Sequence, residues 1–199
     1  MSFLKTTVAT LLLSSVLVSN AHADHRYKRA ADHKYVGNIC FGFSSPVDQN
    51  WHNALKSAVS RYNNAFKNTT KLGFCYNSSY NSSPHNATFY ITLNVKNFGY
   101  KQNWNAISGF PGWDKQPHHE INVNTYYMDS VSQSDKVTTI MHEMGHTIGI
   151  MHTDEGRGNV IPNMYGYDNM SLFRDFTGDT NSKIPDFTKK DIKAIEFLY

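Results

Sequence analysis

The chain has 199 residues, with 19 Lys and Arg against 16 Asp and Glu, for a formal net charge of +3. So small an imbalance, with no run of more than two basic residues, excludes recognition driven by bulk charge. Neither nucleic acid nor a membrane surface is an expected partner, and the charges read as a solvated surface.

Met1 to Ala23 holds one lysine (Lys5), an apolar run from Val8 to Val18 and the tripeptide Ala21-His22-Ala23. These are the three regions of a secretory signal peptide, ending in its cleavage site. The run falls short of the roughly 20 apolar residues that a spanning helix needs. The expected product is therefore residues 24–199, secreted to the extracellular space, or to the periplasm in a Gram-negative bacterium. It carries no membrane anchor, and its 176 residues suffice for one domain with a sizeable core.

Asp24 to Lys34 is polar and without pattern, a flexible terminus or a short pro-segment. Tyr35 to Phe43 reads as a strand, with Ile39, Phe41 and Phe43 on one face and Cys40 on the other. Ser45-Pro46-Val47-Asp48 offers a helix start with Ser45 as the cap. Val47, Trp51, Leu55, Ala58, Val59, Tyr62 and Phe66 then recur at spacings of three and four, an amphipathic backing helix whose stripe belongs to the core. A second strand covers Leu72 to Tyr76, with Cys75 opposite Leu72, Phe74 and Tyr76. Two cysteines on one side of neighbouring strands in an exported chain read as a disulfide. The alternative is Cys40 as a thiolate that blocks a metal before activation.

Asn68, Asn77, Asn81 and Asn86 match glycosylation acceptors, a pattern common by chance. Phe89 to Val95 alternates as a third strand, and Asn97 to Gln116 is a Gly-, Asn- and aromatic-rich stretch. His119 to Thr125 gives one more short strand, with Ile121 and Val123 inward. Strands and helices in this order, with no repeat, predict a single α+β domain with a mixed sheet.

Val137, Ile140, Met141, Met144 and Ile148 form an apolar stripe, and Ser134-Asp135 offers a start for their helix. On it His142 and His146 are four apart, so both imidazoles lie on one face and can share one tetrahedral zinc. Glu143 sits beside the first of them, placed to work on a water rather than to ligate. Gly149 tolerates the left-handed conformation that ends a helix, and the returning chain brings His152 as third ligand. Three protein ligands and one open position describe a catalytic rather than a structural Zn2+ site. His118-His119-Glu120 places neighbours on opposite strand faces, which suits a surface or substrate rim better than a second metal. Asp175, Asp179 and Asn181 do not have the spacing of a calcium loop.

The pattern His142-Glu143-x-x-His146-x-x-Gly149-x-x-His152 resembles the metzincin clan of metallopeptidases. From His142 to Asp154 the wording is most similar to the dual-action HEIGH metallopeptidases, with Met144 where that family's name has isoleucine. Ile161-Pro162 and Phe187 to Tyr199 share the resemblance, the latter with the family's closing helix. It implies a metzincin-like domain: a twisted sheet over an active-site helix, an edge strand above the cleft and a methionine-bearing turn below the metal. Met170 in Asp168-Asn-Met-Ser171 is the expected turn methionine, with Met164 as the alternative. Leu172 and Gly166 stand where some metzincins place a tyrosine ligand, leaving Tyr165 and Tyr167 as candidates for the substrate oxyanion.

The expected protein is a monomeric, secreted, zinc-dependent endopeptidase acting on peptides or proteins through a metal-activated water, with Glu143 as general base. Gly109 to Thr125 is the expected substrate-bearing edge strand, through His119, Ile121 and Val123. Asp154 is expected to orient a ligand histidine or brace the loop. The alternative is a secreted, zinc-containing binding protein of the same fold without proteolytic activity.

Overall fold

The computed structural model describes residues 37–66, 72–80, 82–109 and 119–150, together with Phe187 and Ile192. The first strand, β1, runs Gly37–Phe43, and the helix α1, Gln49–Phe66, returns the chain to β2, Leu72–Tyr76. After β3, Phe89–Lys96, come β4, Ala106–Ser108, and β5, Glu120–Asn124. Two helices follow, the four-residue α2, Thr125–Met128, and the longer α3, Gln133–Thr147. The signal-peptide and pro-segment readings fall outside the described residues, as do Asp154, Met164, Tyr165, Tyr167, Met170 and all of the closing segment 187–199 except Phe187 and Ile192, which pack against the core.

The five strands form one mixed sheet in the order β2-β1-β3-β5-β4, in which only the β4–β5 pair is antiparallel. Parallel neighbours need long crossovers, and α1 supplies the one between β1 and β2. The inward alternation fills the core with Ile39, Phe41 and Phe43 from β1, Ile91 and Leu93 from β3, and Ile121 and Val123 from β5. Against them pack Trp51, Leu55, Ala58, Val59, Tyr62 and Phe66 of α1 and Val137, Ile140, Met141 and Met144 of α3. Each such side chain contributes roughly 1.5–3 kcal/mol on burial.

The caps differ slightly from expectation. Asp48, not Ser45, accepts from the N–H groups of Asn50 and Trp51 at 2.8 and 3.2 Å, because it is the side chain next to the first orphan donors. For α3 the cap is Ser132, two residues before the expected start. Its hydroxyl accepts from the Asp135 N–H at 3.2 Å and donates to the Asp135 carboxylate at 2.7 Å.

Cys40 and Cys75 are direct partners in the β1–β2 register, with Cα atoms 4.4 Å apart, and they form a disulfide. The bridge closes a loop between positions 35 residues apart, which in the chain-entropy model stabilises by about 4 kcal/mol. Replacing both cysteines by serine is expected to lower the melting temperature by about 10 °C, measured by calorimetry under non-reducing conditions. A wild-type Tm in the double variant would show that the bridge adds nothing.

Two contacts fix α3 against this frame. Tyr62 on α1, fully buried, donates its hydroxyl to the Met141 carbonyl at 2.8 Å. At the other end Lys136 donates to the carbonyls of Asp129 and Val131 at 2.8 and 3.3 Å, with its ammonium 5.1 Å from the Trp51 ring centre. Among the described residues, no helix is long and apolar enough to cross a membrane.

Candidate active site

His142, Glu143 and His146 lie on the last turns of α3, and all three are buried. The i, i+4 spacing stacks the two imidazoles, with ring centres 4.5 Å apart and planes at 86°. Beyond them the helix tightens: the N–H groups of Ile148 and Ile150 both donate to the Gly145 carbonyl, and Gly149 N–H donates to that of His146. Gly149 has φ +102°, the conformation a side chain would oppose, so the sequence-expected stop is where the chain turns.

That turn has a chemical consequence for His146. Its Nδ1 lies 2.6 Å from the Ile150 carbonyl, which can only accept, so Nδ1 carries the proton. In the neutral ring Nε2 is then the unprotonated nitrogen, the form a metal requires. His152 lies outside the described residues, two positions beyond Ile150.

Both β4 and β5 pack against this helix, but the strand at the sheet's edge is β4. His119, Ile121 and Val123 were the expected substrate strand, and this expectation is corrected. β5 sits inside the sheet between β3 and β4, and both its edges are engaged. Ile121 and Val123 are fully buried, while the His119 carbonyl accepts from the Thr92 N–H at 2.9 Å. No edge of β5 is open to another strand. Sequence reading missed β4 because three residues, Ala106-Ile107-Ser108, carry no readable period.

The phase of the β4–β5 ladder says which β4 groups face outward. Asn124 N–H donates to the Asn105 carbonyl at 2.8 Å, so 105 and 124 are a hydrogen-bonded pair. Antiparallel alternation makes Ile107 and Asn122 the next such pair, and turns the main-chain groups of Ala106 and Ser108 away from β5. The Ser108 backbone neighbours the Glu143 carboxyl and tends to lower its pKa. The Glu143 oxygen Oε2 is buried and without a hydrogen-bond partner among the described residues.

Burial pushes the Glu143 carboxyl up to about 8, with the Ser108 N–H opposing the rise. Folded above its ordinary value of 4.5, the group binds more protons in the native than in the unfolded state between those pH values. Its stabilising effect is complete below about pH 4.5 and is lost as pH rises through 8. Metal-free wild type is therefore expected to lose stability relative to Glu143→Gln across this window, by roughly 5–10 °C in Tm. Thermal melts in chelator at pH 5 and pH 8.5 check this, and parallel curves for the two proteins contradict it.

Two stacked imidazoles, one with its tautomer fixed by a carbonyl, and a buried carboxylate oxygen without a partner together fit a divalent metal with a water beside Glu143. The model of a family described as Dual-action HEIGH metallo-peptidase matches residues 22–157, a span that includes β1 to α3, Gly149 and His152. No curated protein matches the chain.

Proposed function

Since the chain belongs to the dual-action HEIGH metallopeptidases, a metzincin-type family, we propose that it is a secreted zinc endopeptidase in which Glu143 is the general base. The observation that carries this reading is the Glu143 carboxylate, buried next to two stacked imidazoles with Oε2 unpartnered. A zinc module that only binds has no use for such an oxygen, whose burial is costly.

His142, His146 and His152 are the proposed ligands. When bound, zinc supplies Lewis acidity, acidifying a water and polarising a peptide carbonyl. Glu143 accepts the water's proton at Oε2 and returns it to the leaving amine. Substrate adds as a further strand on β4, through the outward main-chain groups of Ala106. Met170, or else Met164, is the proposed turn below the metal, with Tyr165 or Tyr167 toward the oxyanion and Asp154 bracing a ligand. The monomeric state is part of the same proposal. Secretion is supported by the segment 1–23 and by the disulfide, which persists in oxidising compartments.

The test is hydrolysis of casein by the purified protein, before and after dialysis against a chelator, and again after one equivalent of zinc. Cleavage that disappears and returns with the metal supports the peptidase. A zinc-loaded protein that cleaves neither casein nor a peptide library favours the non-proteolytic alternative.

A further inference from the structure

Of the rings Phe41, Phe43, Tyr62, Phe66 and Phe74 in the described core, only Tyr62 carries a polar atom. A phenylalanine would fill the same space without desolvating a hydroxyl, which is costly unless it is paired. Its partner is the main-chain carbonyl of Met141, at 2.8 Å. That carbonyl belongs to the peptide plane that ends in the nitrogen of His142, the first of the proposed ligands. Within α3 it also accepts from the Gly145 N–H, one residue before His146.

α3 meets the core through Val137, Ile140, Met141 and Met144. Apolar contacts are non-directional and methionine adapts to many packings, so they leave the roll of the helix about its own axis soft. Roll decides where His142, Glu143 and His146 point. A roll of about 10° moves a side-chain tip about 6 Å from the axis by roughly 1 Å, enough to spoil a reacting geometry. A directional bond of fixed length resists it. The donor is itself held, since the Tyr62 ring lies 4.9 Å from Phe74 and 4.7 Å from Phe187, the latter edge-on at 83°. Lys136 ties the other end of α3.

We propose that the Tyr62 hydroxyl is a positioning group for the metal-binding turn of α3, setting the roll at which His142, Glu143 and His146 face one ion. It acts through the Met141 peptide and touches neither metal nor substrate. The inference rests on the zinc peptidase reading for its metal and kinetic readouts, but not for its effect on the helix.

The test is Tyr62→Phe, which deletes one oxygen and keeps the ring. Amide hydrogen exchange in the metal-free protein reads the helix directly. The Gly145 and His146 amides are expected to exchange about five- to tenfold faster, the span of one hydrogen bond. The Ile140 amide, bonded to the carbonyl of the anchored Lys136, is expected to be unchanged. A hydroxyl that merely adds to overall stability would speed all three alike, and that result, or no change, overturns the proposal.

Competition with a chromophoric chelator is expected to show zinc bound about tenfold more weakly in Tyr62→Phe, and cobalt in place of zinc to give a changed visible spectrum. Expected kinetics are a kcat lower by about tenfold, with KM within about twofold of wild type. The melting temperature should drop by only about 3 °C. Tyr62→4-aminophenylalanine restores a donor on the same ring and is expected to recover most of the zinc affinity. Wild-type zinc affinity and cobalt spectrum in Tyr62→Phe overturn the proposal. A wild type that binds no zinc, or binds it and cleaves nothing, refutes the peptidase reading instead, and the exchange experiment still decides the role of the hydroxyl.

Discussion

Glu143→Ala is expected to lower kcat about a thousandfold while the protein keeps one zinc per chain. The size follows from the role, since a positioned general base contributes roughly a hundred- to ten-thousandfold. Burial keeps the effect off the bottom of that range: Glu143 is only 7% exposed, so bulk water does not easily replace it as proton acceptor. The metal should remain because Glu143 is not among the proposed ligands, and the Nδ1 bond of His146 to the Ile150 carbonyl does not involve it. Glu143→Gln separates shape from chemistry. It keeps the length and shape of the side chain, yet it cannot take a proton at neutral pH. Both variants should therefore be similarly inactive, with KM close to wild type. Metal analysis and casein or peptide hydrolysis on the same preparations make the comparison. Full activity in either variant would remove Glu143 as the base and leave the two-histidine face without its reaction.

What the sequence disclosed and what it withheld divide along a physical line. Periodic signals were readable: six of the seven apolar positions, Trp51 to Phe66, lie on the buried face of α1, while Val47 precedes the helix and is half-buried. β2 and β3 alternate nearly as read, whereas β1 is buried on both faces from Ile39 on. The Cys40–Cys75 pairing followed from strand phase, because the residue opposite an inward triplet must lie on the other face. His142, Glu143 and His146 were legible since a helix turn converts spacing into proximity without any knowledge of the rest of the fold. Gly149 was legible for a similar local reason. Which strand forms the edge was not, because that depends on pairing across distant sequence. Glu120 to Asn124 has one apolar and one polar face, and an interior strand with one solvated side shows the same alternation as an edge strand. β4 has three residues and α2 four, too few for any period to repeat.

The second large effect is expected at His152. His152→Ala should weaken zinc binding about a hundred- to a thousandfold and abolish hydrolysis at stoichiometric metal. The estimate takes roughly 10–16 kcal/mol for a four-ligand zinc site in small domains, hence about 3–4 kcal/mol per ligand. The argument for this residue starts at the end of α3. Gly149 turns the chain, and the Ile150 N–H returns to the Gly145 carbonyl at 3.0 Å, one residue from His146. The Ile150 carbonyl meanwhile holds His146 Nδ1, so position 150 is tied to α3 from both its main-chain groups. Two further residues of chain span at most about 7 Å, a length compatible with a third ligand at position 152. Competition with a chromophoric chelator measures the affinity, and His119→Ala supplies the control. His119 is exposed at the start of β5, so its loss should change neither zinc content nor activity. Added zinc is expected to restore part of the activity of His152→Ala, because His142 and His146 remain, whereas His146→Ala also breaks the tie to Ile150 and should not recover. Wild-type zinc affinity in His152→Ala would mean that the third ligand comes from elsewhere in the chain, and the His-x-x-Gly-x-x-His reading of this segment would fail with it.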